Sequence, residues 1–230
     1  MQGLGFRTID PFLSALEKYP EQREQVEKLM TVSISRFFRD RNLWKAIERH
    51  VLPAVVSREK KKIKVWSAGC ASGEEVYSFE ILGEEWGKNR DRILVLELWA
   101  TDMNAELLDR ARAGIYSSSS LKEVPEEWRC EYFSPVKGNR WAISDSLKKG
   151  IHWKVHNLLV HEPPSDGFQI IFLRNNLLTY FKDEILRLGF AKVVKSLSPS
   201  GFLIIGAHEK FPSGFQELLP FPHHPNIFQK

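Results

Sequence analysis

The sequence of 230 residues contains only two cysteines, Cys70 and Cys130. Two cysteines build no disulfide framework, and they do not have the spacing of a metal-binding cluster. A basic segment followed by an apolar one, the mark of a secretory signal, is also missing from the amino terminus. We therefore expect a protein of the reducing cytoplasm that holds no metal.

Long hydrophobic runs are missing as well. No apolar stretch approaches the roughly 20 residues that cross a bilayer, so we expect no membrane insertion. Charge of one sign is not in large excess either, since 33 basic residues face 29 acidic ones and leave a net charge of +4. Nucleic-acid binding would favour a stronger basic stripe with interleaved aromatic residues, and we do not expect it. A hydrophobic content of 43% suits one domain with a full core.

Phosphate-binding glycine motifs are absent from the stretch that is best suited to a ligand. Residues 63–75 read IKVWSAGCASGEE, a strand that ends in a turn and leads into an amphipathic helix. The spacing of Gly69 and Gly73 matches neither GxGxxG nor GxxxxGK[ST]. Glu74 and Glu75 add two carboxylates, which repel phosphates and suit a ligand with ammonium, sulfonium or hydroxyl groups, such as S-adenosylmethionine. The glycines alone fit an ordinary strand-to-helix turn equally well.

Strands and helices alternate along most of the chain. The apolar runs LVLELWA at 94–100, FQIIFLRN at 168–175 and GFLIIGA at 201–207 are typical of buried strands. This alternation predicts an α/β protein with a mostly parallel sheet and right-handed crossovers. Asp102, at the end of the second strand, is placed to accept hydrogen bonds from ribose hydroxyls or to cap the following helix, and both roles can hold together.

The alternation is interrupted between residues 115 and 150. Short apolar runs joined by the Gly-Asn turn of KGNR predict inserted antiparallel hairpins there. The next run, IHWKVH at 151–156, fits either a further hairpin strand or a strand of the main sheet.

Helices are predicted ahead of the first strand. Two short ones, at about 10–19 and 21–30, precede a third that Ser33 or Ser35 can cap and that ends at Pro53. We therefore divide the chain into a helical segment, 1–57, and a main domain, 58–230, that carries the insertion.

Several of these stretches together resemble one family, the CheR chemotaxis-receptor methyltransferases, which transfer a methyl group from S-adenosylmethionine to receptor glutamates. The pieces keep the family's order and approximate spacing from about residue 31 onward, and the ordered set is more specific than any single piece. They are SRFFRD at 35–40, VWSAGCASGEEVYS at 65–78, ATDMN at 100–104, ARAGIYS at 111–117, YF at 132–133, HNLL at 156–159, FLRNNLLTYF at 172–181 and GAHE at 206–209.

The resemblance implies a Rossmann-like S-adenosylmethionine methyltransferase fold with a small inserted antiparallel β subdomain and a short N-terminal helical segment. It implies that Glu74 meets the amino group of the cofactor, that Asp102 meets its ribose, and that Asn157 and Leu158 meet its adenine end. Arg39 would contact the methionine carboxylate or lie beside the methyl-transfer centre.

The resemblance also implies an acceptor side lined by Arg174, Asn175 and Tyr180. On this basis the candidate catalytic residues are Arg39, Arg174 and Tyr180. The remaining cofactor-binding candidates are Ser33, Ser35, Gly69, Arg174 and Asn175.

One departure from the family bears on the substrate. The family pattern is CRNVxIYF, whereas LRNNLLTYF is one residue longer between the asparagine and the tyrosine, which should shift Tyr180 relative to Arg174. The resemblance implies that the acceptor is a glutamate of a chemoreceptor-like protein, and this departure leaves a small molecule or RNA as the alternative. A third reading is a cofactor-sensing or peptide-binding module with a vestigial pocket. An amine or hydroxyl acceptor would usually need a general base, which His156 or His208 could supply if they are not ordinary hydrogen-bonded histidines.

Overall fold

The structure is a computed structural model that describes residues 35–58 and 62–230. Ser33, the two helices predicted at 10–19 and 21–30, and part of the basic run before the first strand lie outside the described residues. In the described ranges, no helix is both long enough and apolar enough to cross a membrane.

Two sheets account for the strands of the described chain. The main sheet has seven strands in the order β6-β2-β1-β7-β8-β10-β9, and the smaller one has three in the order β3-β5-β4. The strands are β1 (Ile63–Ala68), β2 (Leu96–Asp102), β3 (Ile115–Ser117), β4 (Phe133–Val136), β5 (Arg140–Ile143), β6 (Ile151–Val155), β7 (Phe168–Leu173), β8 (Leu197–Ile205), β9 (Leu219–Pro220) and β10 (Ile227–Gln229).

The main sheet is parallel from β6 to β8, and only β10 and β9 run antiparallel to their neighbours. Its central strands are buried on both faces. Because successive residues of a strand point to opposite sides, Val65 belongs to one core cluster and Trp66 to the other. The predicted α/β fold with a mostly parallel sheet is confirmed, and the carboxyl ends of β1, β2, β6 and β7 meet at one edge.

Helices cover the sheet and precede it. They are α1 (Arg41–Ala46), α2 (Leu52–Arg58), α3 (Glu74–Lys88), α4 (Ala105–Ala113), α5 (Glu126–Tyr132), α6 (Leu177–Tyr180) and α7 (Asp183–Ser196). A π-helical turn, Ile47–Val51, joins α1 to α2.

The prediction for the helix ahead of the first strand was wrong at both ends. The helix begins at Arg41, because Asp40 at its N-cap has a left-handed backbone with φ of 67° and leaves Phe37 and Phe38 in the turn before it. It does not end at Pro53 but continues to Arg58. The π-helical turn directly before Pro53 changes the local hydrogen-bond register, which accommodates a residue that has no N–H to donate.

The interruption of the alternation is an inserted sheet, as predicted. In this sheet β5 pairs antiparallel with β3 and β4. The run at 151–156 belongs to the main sheet instead, since β6 pairs parallel with β2. Hairpin and parallel pairing show the same local pattern, so only the fold distinguishes them.

Phe37 joins the inserted sheet to the segment before α1. Its ring is fully buried and makes edge contacts with Tyr116 and Phe133 at centroid distances of 4.8 and 5.0 Å. Its backbone N–H donates to the Ser120 carbonyl at 3.1 Å. The insertion is therefore held against the segment before α1 by an aromatic cluster.

We expect Phe37→Ala to lower the free energy of unfolding by about 3–5 kcal/mol, since it leaves a cavity among well-packed rings. Chemical denaturation measures the change. Ile93→Ala is the control, because Ile93 is 92% exposed and its loss should stay within about 0.5 kcal/mol. Equal denaturation midpoints for Phe37→Ala and the wild type would contradict the role of this cluster.

Candidate cofactor and acceptor site

A turn that requires glycine follows β1. Gly69 and Gly73 have φ of 85° and 86°, a left-handed conformation that glycine adopts without strain. The N–H groups of Gly69 and Cys70 donate to the Thr101 carbonyl at 2.7 and 2.9 Å, which fixes the turn to the end of β2. A side chain at Gly69 would also overlap Asn176. Glycine is therefore required at position 69 both by the backbone conformation and by the Asn176 side chain packed against it.

Asp102, at the end of β2, organises the same turn. Its Oδ2 accepts from the Ala71 N–H and its Oδ1 from the Asn104 N–H, both at 2.9 Å. Burial raises the pKa of Asp102, and the backbone N–H groups oppose that rise. The helix cap is a different residue from the one predicted, because the side chain of Asn104 accepts from the first N–H groups of α4. The carboxylate of Asp102 therefore does not cap α4.

Glu74 is a buried carboxylate with one unsatisfied oxygen. It begins α3 and is 5% exposed, and among the described residues its Oε2 has no hydrogen-bond partner. Burial raises the pKa of Glu74, which a hydrogen bond from Ser35 opposes. A buried acceptor without a partner is costly. This position therefore suits a ligand that brings a cationic donor, such as an ammonium group.

Arg174 is held by two acids from distant parts of the chain. It follows β7 and is 8% exposed. Its Nη1 donates to Glu75 Oε2 at 3.0 Å, and its Nη2 donates to Asp40. Glu75 Oε1 also accepts from the Ser67 hydroxyl at 2.8 Å. The guanidinium thereby ties the end of β7 to α3 and to the start of α1.

The sequence reasoning missed both partners of Arg174. Asp40 directly follows Arg39 in SRFFRD, and Glu75 directly follows Glu74 in SGEE. Each partner is thus next to a predicted site residue. A signal was available in the buried arginine itself, since such a group requires anionic partners.

The predicted cofactor-side residues lie around neighbouring strand ends. Glu74 and Asp102 flank the glycine turn that follows β1. Asn157 and Leu158 follow β6, the next strand outward, where Asn157 Oδ1 accepts from the Leu159 N–H at 2.9 Å. Both are half-buried.

The predicted acceptor-side residues are more dispersed. Arg39 and Asn175 are exposed, and each lies directly beside a member of the Arg174 network. Tyr180 is 43% exposed at the end of α6. The structure therefore places Arg174 in a buried ion-pair network and leaves Tyr180 exposed to solvent.

One residue of the lengthened stretch LRNNLLTYF, Asn176, anchors the loop after β7. The Asn176 side-chain amide donates to the Ala68 carbonyl, and its oxygen accepts from the Leu177 N–H. It thus fixes the loop after β7 to the end of β1 and begins α6.

The two histidines considered as bases differ in their surroundings. His156 is buried, and its Nε2 donates to the Glu162 carbonyl at 2.8 Å. Burial lowers the pKa of His156, so that it is neutral. His208 is exposed beyond the end of β8.

An open cleft of about 500 Å³ lies beyond the end of β8. Arg41 Nε and Glu123 Oε2 form an ion pair at 3.2 Å in its wall. Asp40 connects this cleft to Arg174. The lining residues are Asp40, Arg41, Asn42, Leu43, Glu123, Ile205, Ala207, His224, Pro225 and Asn226.

The parallel sheet, the glycine turn and the paired acids at the strand ends are those of an S-adenosylmethionine-dependent methyltransferase. Comparison with known families gives the same class, since the model of the CheR methyltransferase, SAM binding domain, matches residues 33–224. This chain belongs to the CheR methyltransferase family, and its cofactor is S-adenosylmethionine. The residues present fit this cofactor, because Glu74 offers an unsatisfied anionic acceptor to its amino group.

Individual relatives cover most of the chain. The chemotaxis protein methyltransferase of Listeria monocytogenes is 34% identical over 203 residues, which are 88% of this chain and 75% of that protein. The chemotaxis protein methyltransferase of Borreliella burgdorferi is 29% identical over 213 residues, 89% of this chain and 75% of that protein. Among solved structures, the N-methyltransferase NodS from Bradyrhizobium japonicum with bound S-adenosylhomocysteine has a TM-score of 0.42, 16% identity, and coverage of 79% of this chain and 70% of its own.

Replacing Arg174 with alanine should lower the free energy of unfolding by about 3–5 kcal/mol, because it leaves Asp40 and Glu75 without their cation. The free energy of unfolding of Arg174→Lys should lie between those of the wild type and Arg174→Ala, since an ammonium keeps the charge but cannot present the planar fork of a guanidinium. Chemical denaturation tests both. Arg112→Ala, which removes an exposed pair with Asp109, should cost no more than about 1 kcal/mol. An equally small loss for Arg174→Ala would contradict the role of its ion pairs in holding the site together.

Glu74→Gln should separate stability from cofactor binding. Burial disfavours the ionised form, so the uncharged amide should raise the free energy of unfolding of the ligand-free protein at neutral pH. It should also weaken binding of S-adenosylhomocysteine, which retains the amino group, because the anionic partner is lost. In the wild type this affinity should fall as the pH drops through the raised pKa of Glu74, and in Glu74→Gln that pH dependence should disappear.

Calorimetric titration at several pH values measures the affinity, and chemical denaturation of the ligand-free protein measures the free energy of unfolding. Glu106→Gln, on the exposed face of α4, is the control and should leave both quantities unchanged. Retention of the wild-type affinity and pH profile by Glu74→Gln would exclude Glu74 from the cofactor site.

Proposed function

We propose that this protein transfers the methyl group of S-adenosylmethionine to a carboxylate side chain of a protein, a glutamate of a chemoreceptor-like substrate. One observation carries the choice of acceptor. In the cleft beyond β8, each of the two acids and the histidine already accepts from a donor of the chain. Asp40 accepts from Arg174, Glu123 from Arg41, and His224 Nδ1 from a backbone N–H.

A cleft with its bases engaged favours a nucleophile that needs none. A glutamate has an ordinary pKa near 4.3 and is ionised at neutral pH, whereas an amine or hydroxyl acceptor usually has to lose a proton to a general base. The cofactor supplies a methyl group on a positively charged sulfur. The chain's own task is to position the acceptor in line with that group and to exclude water.

The roles of the cofactor-side residues follow from their surroundings. We assign the amino group to Glu74 because of its unsatisfied oxygen, and the ribose hydroxyls to Asp102 because it ends β2 beside the turn. Gly69 is assigned to the cofactor side because it forms the turn that follows β1 and ends beside Glu74. Asn157 and Leu158 are assigned to the adenine end because they follow β6, the next strand outward.

The roles of the remaining candidates rest more on the family resemblance. Ser35 supports Glu74 through its hydrogen bond, and Arg39 is assigned to the methyl-transfer centre because Asp40 binds Arg174. Ser33 lies outside the described residues. Asn175 is assigned to the site because it follows Arg174, and Tyr180 to the entrance of the acceptor because of its exposure.

The proposed protein substrate is supported by the names of the relatives, which are chemotaxis protein methyltransferases. A flexible protein segment could reach the site because the cleft beyond β8 is open to solvent.

The test uses the full chain, methyl-labelled S-adenosylmethionine and a purified cytoplasmic fragment of a chemoreceptor with unmodified glutamates. We expect label in the fragment that mild base releases as methanol, the behaviour of a methyl ester. Label that withstands base would indicate an amine acceptor and would overturn the proposal.

Asp102→Ala provides a separate check on the cofactor site. S-adenosylhomocysteine at a hundred times its dissociation constant should stabilise the wild type by about 2.7 kcal/mol, and we expect the variant to lose most of this. Asp109→Ala, an exposed position on α4, should keep the full effect. Equal stabilisation of both variants would remove Asp102 from the site.

A further inference from the structure

His224 lies in the turn between β9 and β10 and lines the cleft beyond β8. The turn is tight, since the His224 N–H donates to the Phe221 carbonyl and the Ile227 N–H donates to the His224 carbonyl, at 3.3 and 3.2 Å. It is also fixed to the main sheet through Asn226. The Asn226 side chain donates to the Gly206 carbonyl, and the Ile205 N–H donates to the Asn226 carbonyl, both at 3.0 Å. His224 therefore has a defined position at the edge of the cleft.

The protonation pattern of His224 follows from one hydrogen bond. Its Nδ1 lies 3.2 Å from the Asn226 backbone nitrogen, whose N–H can only donate. Nδ1 must therefore carry the lone pair, and in the neutral ring Nε2 carries the proton. Burial and the charge of Arg174 lower the pKa of His224, although Asp40 opposes them. The ring thus offers a donor, and its basic nitrogen is already in use.

The charges around the cleft favour an anion at this donor. The acids in its wall are neutralised, since Asp40 is paired with Arg174 and Glu123 with Arg41. A donor with no competing free anion suits a carboxylate, because a hydrogen bond to a charged acceptor is roughly twice as strong as one between neutral groups.

We propose that His224 binds the methyl-accepting carboxylate, with its Nε2–H donating to one carboxylate oxygen while the other receives the methyl group. This inference rests on the proposed function and adds a specificity residue to it. The attacking oxygen forms the bond to the methyl carbon, the carbon–sulfur bond breaks, and its electron pair stays on sulfur. No proton moves. The ester product is uncharged, so its hydrogen bond from His224 is weaker than that of the carboxylate, which favours product release.

Two substitutions at this position separate donation from packing. His224→Phe removes the donor and keeps a ring, whereas His224→Gln places an amide N–H close to the position of Nε2. With the chemoreceptor fragment as substrate, His224→Phe should raise KM about tenfold to a hundredfold, the range for a hydrogen bond to a charged group, with little change in kcat. His224→Gln should restore most of the loss. The affinity of each variant for S-adenosylhomocysteine should equal that of the wild type.

His223→Phe is the matched control. His223 is exposed on the same turn and stacks on His50 at a centroid distance of 3.7 Å, and it does not line the cleft. Its substitution should leave KM unchanged.

Three results would overturn the inference: a wild-type KM in His224→Phe, equal impairment in His224→Gln and His224→Phe, or a parallel loss of S-adenosylhomocysteine affinity. In each of these cases base-labile methylation by the wild type would still support the proposed function. If the wild-type protein instead produced only base-stable label, both proposals would be wrong.

Discussion

The buried guanidinium of Arg174 is the interaction on which the site depends. A cation taken out of water must be met by anions with good geometry, and Arg174 obtains them from α3 and from the segment before α1. This pairing brings together three segments that are distant in the chain. It therefore fixes the end of β7 relative to the glycine turn and sets the position of Asp40 at the edge of the cleft. In the function that we propose, the cofactor side and the acceptor side meet at this network.

Two adjacent carboxylates at the start of α3 differ in whether the chain supplies their hydrogen-bond partners. Glu75 is satisfied by Arg174 and Ser67, so it serves the fold. Glu74 is buried with an oxygen that has no partner in the described part of the chain, which costs stability in the ligand-free protein. Such a trade of stability against binding is common where proteins prepare a site for a ligand. The cleft that we propose as the acceptor side differs, because Asp40 and Glu123 there are each paired with an arginine.

Local patterns predicted the strands well and the start of the first helix poorly. The apolar runs of β1, β7 and β8 are unambiguous because strands buried on both faces need continuous hydrophobic sequence. The start of α1 depends on the left-handed backbone of Asp40, and Arg174 holds that residue through its side chain. No nearby residue signals the contact. The strand at 151–156 was ambiguous for a similar reason, since its pairing with β2 is a choice of partner.

Local sequence was enough to specify the fold class, the glycine turn and the acids at the strand ends, since each of these follows from neighbouring residues. Which of those acids pairs with a cation of the chain was decided only by the tertiary structure. Arg174 selects partners 99 and 134 positions away, and His224 reaches the cleft only because the last strands fold back on β8. Contacts of this kind depend on how the sheet closes its core, because packing brings together residues that no local period connects.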